Sequence, residues 1–341
     1  MGKQSITIKE VAEYAQVSTA TVSRVINNDS RVIDETKERV LKAMDELGYK
    51  VNFVARSLKT NQTKTIGVMA PDLSGDFFMY IAESMDKELA AHGYSLVVCA
   101  SHDSLEEEAK RLRHLAERLV DGVVVIPATD RGNHFRFLEQ CGIPIVLVDR
   151  TVNDFAVDAV LTENAEGAYE ATKALLSDGY SRIGFIGGKP EISTSKERFS
   201  GYSRALQEVG LPIEEEFVRF GPPTLPFGYH AMEEMLKNER SPDAWFLVNA
   251  FTHIGATNYI MSDESAKRRN IVIAAFDEMP YAPLLRFCRY AVQQPIAELG
   301  RTAARLILKK IMEPDPTRTQ IVRLKTRLIK HNYREVSYGR I

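Results

Sequence analysis

Two short apolar periods of helical spacing, three residues apart near the start of this 341-residue chain, constrain its fold more than any other feature. Ile8, Val11, Ala12 and Ala15 fall at i, i+3, i+4 and i+7, one face of a helix. Thr7 stands at the N-cap position with Glu10 three residues on, the pattern of a capping box. Gln16-Val17-Ser18 makes a tight turn, and Thr19 to Ile26 makes a second helix. That helix turns Val22, Val25 and Ile26 inward and leaves Thr19, Ala20, Thr21, Ser23 and Arg24 outside. The pair predicts a helix-turn-helix whose second helix can enter a major groove. Small side chains let the helix backbone approach base edges. The Ser18, Thr21 and Ser23 hydroxyls, with the free amides of the helix start, can hold phosphates. Arg24 is long enough to reach a guanine edge. Taken alone, the pair also fits an ordinary helical hairpin inside a core.

A third helix is expected from Asp34 to Leu47, with Val40, Leu41, Met44 and Leu47 as its apolar face and Gly48 ending it. Residues 50–64 then turn polar and basic, with Lys50, Arg56, Lys59 and Lys64. A helix over Asn52–Lys59 is too short to be stable alone in water. The whole chain carries a net charge of −2, which says nothing about nucleic acid. Its distribution says more: residues 1–64 hold 11 Lys/Arg against 8 Asp/Glu, and the remainder holds 33 against 38. A basic front is the electrostatic footprint of a DNA-binding segment. Cys99, Cys141 and Cys288 are scattered without metal-ligand spacing, and the histidines are dispersed, so no metal site is predicted. No apolar signal region or membrane-length apolar run is present, so a cytoplasmic protein with no membrane partner is expected.

From Thr65 the pattern changes. TIGVMA, YSLVVCA, DGVVVIP and IPIVLV are apolar, β-branched runs, separated by helical stretches near 77–92, 104–118 and 133–141. The alternation restarts with RIGFIGG, AWFLVN and IVIAAF, among helices near 164–178, 196–209, 228–238 and 252–262. Fully apolar strands alternating with helices mean parallel sheets covered on both faces, and two successive sets mean two lobes. Such sheets bind ligands at the carboxyl ends of their strands, which between two lobes becomes a cleft. No P-loop, dinucleotide fingerprint, nucleophile elbow or metalloprotease helix occurs, so neither an enzyme nor a cofactor is expected. Asp72, Phe77, Phe78, Asp149, Arg150, Arg198, Asn249 and Asp277 all fall just past strand ends or at helix starts. Carboxylates, Arg and Asn hydrogen-bond vicinal hydroxyls, and an aromatic face covers the apolar side of a sugar ring. Read singly, each aspartate fits a helix cap or loop residue, and each phenylalanine fits core packing.

Three segments together, TIKEVAEYAQVSTATVSRVIN, ETKERVLKAMDELGY and NFVARSLKTNQTKTIGV, resemble the LacI/GalR-type transcriptional regulators, and the resemblance covers nearly the whole chain. It implies an N-terminal all-α helix-turn-helix headpiece over 1–49 and a hinge helix or linker over 50–64. A two-lobed α/β core of parallel sheets, like periplasmic binding proteins, would cover 65–338. Lobe N would take about 65–162 and 293–322, and lobe C about 163–292 and 323–338. The implied function is a sequence-specific DNA-binding regulator, a repressor, whose operator affinity is set by a small effector between the lobes. The implied partners are a near-palindromic double-stranded operator, a small sugar, sugar acid or sugar phosphate, and a second copy in a homodimer. DNA contacts would come from Thr7, Ser18, Thr19, Ala20, Thr21, Ser23, Arg24, Asn27, Arg31, Asn52 and Ala55, with Leu58 as a minor-groove wedge. Effector contacts would fall on Asp149, Arg198, Asn249 and Asp277, with Asp72, Phe77, Phe78, Arg150, Lys196 and Gln294 beside them.

Three positions depart from the family pattern. Gln16 stands where glycine is frequent, and a positive φ there would strain it. Val51 replaces a usual proline before Asn52, which leaves the hinge less rigid without DNA. Ala250 follows Asn249 where an acid is usual, so Arg150, Lys196 and Arg198 would line a site tolerant of an anion, unless Lys189 and Lys196 are solvated surface charges. A small-molecule binding protein or sugar enzyme with an unrelated helical domain is the competing class. It lacks both a signal peptide and a positioned base or nucleophile.

Overall fold

Thr7 starts the first helix by the reciprocal bonding its sequence suggests: its Oγ1 accepts from Glu10 N, and Glu10 Oε2 accepts from Thr7 N at 2.6 Å. The structure, a computed structural model, describes residues 6–26, 29–50, 62–117, 120–278, 287–314 and 319–331. The chain divides into two units, Met1–Thr63 and Lys64–Ile341.

The first unit contains α1 (Ile8–Tyr14), α2 (Thr19–Ile26) and α3 (Asp34–Glu46). Gln16 has φ 52°, so the turn does place a side-chain residue in the left-handed region. Gly48, at φ 63°, takes the same conformation just past α3, where the missing Cβ removes the strain. Val11, Ala12, Ala15, Val22, Val25, Val40 and Ala43 form the core. Each fully buried valine contributes roughly 1.5–3 kcal/mol. Leu41, expected on the inner face, is instead 46% exposed. The inward stripe is Val40, Ala43, Met44 and Leu47, spaced i, i+3, i+4 and i+7, and Leu41 lies about 100° around the helix from Val40.

The second unit has two sheets. The first contains β1 (Thr65–Ala70), β2 (Ser95–Ala100), β3 (Gly122–Val125), β4 (Ile145–Val148), β5 (Asp158–Thr162) and β11 (Ile321–Leu324), in the order β11-β5-β4-β3-β1-β2 and all parallel. The second contains β6 (Ile183–Gly187), β7 (Val218–Phe220), β8 (Ala244–Leu247), β9 (Val272–Phe276), β10 (Cys288–Gln293) and β12 (Arg327–Lys330), in the order β12-β10-β9-β8-β6-β7. Only the β10–β12 pair is antiparallel among these. Helices cover both faces of each sheet, as fully apolar parallel strands require. In lobe N, α4 (Asp76–Ala90) and α12 (Ile296–Met312) pack one face, and α5 (Leu105–Glu117) and α6 (Arg136–Gln140) the other. In lobe C, α7 (Asn164–Ser177) and α8 (Ser193–Glu208) cover one face, and α9 (Leu225–Leu236) and α10 (Ala250–Ser262) the other. A short α11 (Glu264–Lys267) precedes β9.

Among the described residues the chain passes between lobes three times: from β5 to α7, from β10 to α12, and from β11 to β12. These passages hold one another. Glu163 N donates to Leu324 O at 2.9 Å, and Thr162 Oγ1 donates to Gln294 Oε1 at 2.8 Å. No helix among the described residues is long and apolar enough to cross a membrane.

Candidate DNA-facing helix and interlobe cleft

On α2, Thr19, Ala20 and Arg24 are exposed and Thr21 and Ser23 half-buried, while Val22 and Val25 hold the opposite face in the core. Ser18 organises the helix start: its Oγ accepts from Thr21 N at 3.1 Å and shares a hydrogen bond with Thr21 Oγ1 at 2.9 Å. Thr7 is engaged in the capping box, and its hydroxyl donates to Glu10 Oε2 at 2.8 Å. Arg31 is exposed and gripped by Asp29 through two bonds of 2.9 and 2.6 Å. Those hydrogen bonds hold the Asp29 carboxyl well below the usual carboxylate range. Asn27, Asn52, Ala55 and Leu58, with the hinge segment 51–61, lie outside the described residues.

In the second unit the strand ends of both lobes converge on a cavity of about 570 Å³. Asp72, Phe77, Phe78, Asp149, Arg150, Arg198, Asn249, Asp277 and Gln294 all line it. Asp149 follows β4 in lobe N at φ 65°, and Asp277 follows β9 in lobe C at φ 74°. Left-handed non-glycine residues cost of order 1–3 kcal/mol each and gather at functional sites. Here the same device sits at equivalent strand ends of both lobes and turns both carboxylates into the cleft.

Burial pushes the Asp149 carboxyl up to about 6, against the pull of Arg198 and Arg150. Among the described residues its Oδ1 has no hydrogen-bond partner. Arg150 Nε lies 3.9 Å from Asp149 Oδ2 and likewise lacks a hydrogen bond. Arg150 Nη1 donates to Asp103 Oδ1 at 2.9 Å and to Pro127 O at 3.0 Å.

Arg198 reaches the cleft because α8 lies directly on α7. A Cβ at Gly201 would stand 2.0 Å from Ala165 O, so only glycine permits that approach. The guanidinium donates from Nε to Asn164 Oδ1 at 2.8 Å and from Nη1 to Val248 O, and stacks 3.7 Å from the Phe276 ring centre. Burial lowers the Arg198 pKa, opposed by Asp277 and Asp149. Asp277 Oδ1 accepts from Gln294 Nε2 at 2.6 Å, so a chain Thr162–Gln294–Asp277 joins a lobe passage to the cleft floor.

Two members of the set serve the fold where they stand. Asn249 is the N-cap of α10: its Oδ1 accepts from Thr252 N at 3.0 Å and its Nδ2 donates to Pro223 O at 3.3 Å. Asp72 Oδ1 accepts from Ser74 N, Ser74 Oγ and Gly75 N at 2.8–3.0 Å. Phe77 and Phe78 pack edge to face with centroids 5.3 Å apart, half-buried on the lobe N wall.

Lys196 does not line the cleft. It is half exposed and pairs with Asp130 at 3.3 Å. Residues 196 and 198 stand about 200° apart on a helix, so Arg198 facing inward turns Lys196 outward. Asp103, Phe251, Thr194 and Ser195, which no sequence pattern singled out, and Lys189, which could also have been a solvated surface charge, line the cavity too. Lys189 and Asp103 follow the ends of β6 and β2, so the strand-end rule applied to every strand would have found them.

Comparison with known proteins agrees with this architecture. Residues 7–52 match the family model described as bacterial regulatory proteins, lacI family. Residues 63–332 match that of periplasmic binding proteins and the sugar binding domain of the LacI family. The HTH-type transcriptional repressor PurR of Pectobacterium atrosepticum is 35% identical over 310 residues, 89% of this chain and 90% of that protein. The HTH-type transcriptional regulator RegA of Clostridium saccharobutylicum is 31% identical over 303 residues, 89% of this chain and 91% of that protein. The structure of a transcriptional regulator CelR–cellobiose complex superposes with TM-score 0.71 at 28% identity, covering 95% of this chain and 98% of that one.

Proposed function

The chain belongs to the LacI family of bacterial regulatory proteins and is a DNA-binding transcriptional regulator with a sugar-binding core, and from this we propose how its residues divide the work. It acts in the cytoplasm as a homodimeric repressor on a near-palindromic operator, because one headpiece spans too few base pairs for specificity. Arg24 reads a base edge, Ser18, Thr21 and Ser23 contact phosphates, and Thr7 supports the helix start. The interlobe cleft recognises rather than transforms its ligand.

The observation that carries the effector reading is the pair of strained aspartates, Asp149 and Asp277, flanking buried Arg198 at the strand ends of both lobes. Asp149 Oδ1 and Arg150 Nε are buried polar atoms with unmet hydrogen-bonding capacity, and a polyhydroxylated ligand supplies both donors and acceptors. The neighbouring Phe77–Phe78 wall covers an apolar ring face. A ligand bridging both lobes favours one lobe orientation, and the effect passes to DNA through residues 50–64. It can shift operator affinity only by its differential affinity for the two orientations, typically about 1–3 kcal/mol.

A gel shift on genomic fragments, combined with thermal-shift screening of sugars, tests this. The expected result is salt-sensitive specific binding that is lost on deleting residues 1–60 and altered by a stabilising sugar. Operator affinity that survived the deletion would overturn the headpiece assignment. A sugar that stabilised the core equally well after Asp149→Asn and Asp277→Asn would overturn the cleft assignment.

A further inference from the structure

We propose that Asp103 is a specificity-determining residue: its carboxylate fills the cationic corner of the cleft and thereby reserves the site for uncharged ligands. The proposal rests on the cleft being the effector site and narrows the class of effector it takes.

The carboxylate is presented by an unusual backbone. Ser104 N donates to Ser101 O at 3.0 Å, closing a turn whose two central residues, His102 and Asp103, have φ 54° and 52°. Positive φ at both central positions is the signature of a type I′ turn. The turn joins the end of β2 directly to the start of α5, so neither end is free to drift. From there Asp103 Oδ1 accepts from Arg150 Nη1 at 2.9 Å, and Oδ2 faces Lys189 Nζ at 3.8 Å. Arg150 belongs to lobe N and Lys189 follows β6 of lobe C, so each oxygen answers a cation from a different lobe.

That is the arrangement a ligand carboxylate or phosphate would need, and the protein supplies it itself. The other buried cation, Arg198, is already opposed by Asp277 and Asp149. Among the described residues of the lining, Asp72, Asp76, Asp103, Asp149 and Asp277 face Arg150, Lys189 and Arg198. A phosphorylated or acidic sugar must therefore displace Asp103 or add negative charge to a negative wall. A neutral sugar meets neither obstacle and still finds hydrogen-bonding atoms at Asp149 and Arg150.

The test is a gain of function in the full-length protein. Asp103→Asn removes the charge and tolerates left-handed backbone, and Asp103→Gly does so without any side chain. Isothermal titration at constant ionic strength uses inorganic phosphate, glucose 6-phosphate and glucose as probes. Wild type should show no saturable phosphate or glucose 6-phosphate binding. Both variants should bind phosphate at least about tenfold more tightly than wild type, and Arg150→Met added to Asp103→Asn should abolish the gain. Saturable phosphate or glucose 6-phosphate binding by wild type, lost in Arg150→Met, would overturn the proposal. So would a folded Asp103→Asn or Asp103→Gly protein that gains nothing. If the gain appears while no neutral sugar binds wild type, the role of Asp103 stands and the sugar reading of the cleft falls.

Discussion

Asp149→Asn should make the core more stable at neutral pH while destroying its response to effector. The wild-type carboxyl titrates at about 6 in the folded protein against an ordinary 3.8, chiefly because it is buried. Its folded pKa is raised, so its contribution to stability is fully present below about pH 3.8 and is lost as pH rises through about 6. That rise is worth about 3 kcal/mol, by which the ionised carboxylate burdens the folded core above about pH 7. Asparagine tolerates φ 65°, keeps one acceptor for the arginines and carries no charge. The variant should therefore gain up to about 3 kcal/mol at about pH 7.5 and about half of that at about pH 5. Thermal unfolding should register about 2–4 °C per kcal/mol. Urea unfolding of wild type and variant at both pH values measures the difference directly. A variant less stable than wild type at pH 7.5, or a gain that does not shrink at pH 5, would refute the reasoning. The first result would mean that Arg198 and Arg150 more than offset the burial of the carboxylate, and the second that the gain does not come from its ionisation.

Arg24→Ala should lower operator affinity by about 1–3 kcal/mol more than it lowers affinity for random DNA, measured by competition gel shift; equal losses would make Arg24 a phosphate contact. Arg198→Lys keeps the charge but loses the planar fork on Asn164, Val248 and Phe276. It should weaken effector binding by about 1.5–3 kcal/mol while leaving operator affinity without effector intact, and an unchanged effector titration would count against the cleft assignment. Gly255→Ala should destabilise the core by about 1–3 kcal/mol in urea unfolding, because the added Cβ would stand 2.1 Å from Leu225 O and push α9 off α10.

Several features were legible in the residues because their causes are local. The Thr7–Glu10 capping box, the glycine that ends α3 and the apolar strands 65–70 and 272–276 each depend on a few neighbours along the chain. The strand-end rule also gathers Asp149 and Asp277 into one cleft from their places in the sequence, since parallel strands present their carboxyl ends on one side, whereas Arg198 reaches it from within α8. The edge strands β11 and β12 were harder to see. Their residues are only exposed or half-buried, so they carry no continuous apolar run.

Other features arise between residues far apart in sequence, and only the tertiary structure decided them. Asp103 meets Arg150 across 47 positions, and Thr162 meets Gln294 across 132. Neither pairing leaves a local trace, because nothing near either partner in the sequence marks the residue it will meet. Tertiary packing also settled where single side chains go. Lys196, left open between cleft and surface, became an outward ion pair, while Leu41, expected inside, became an exposed side chain, and Asn249, expected to meet an effector, caps a helix where it lines the cleft. Chain-local physics determined the helices and the apolar strands that open each lobe, and with them where a ligand could sit. The order in which the twelve described strands pair, and which charges then oppose one another in the cleft, was settled by which long-range contacts bury the most surface while leaving the fewest charges unanswered.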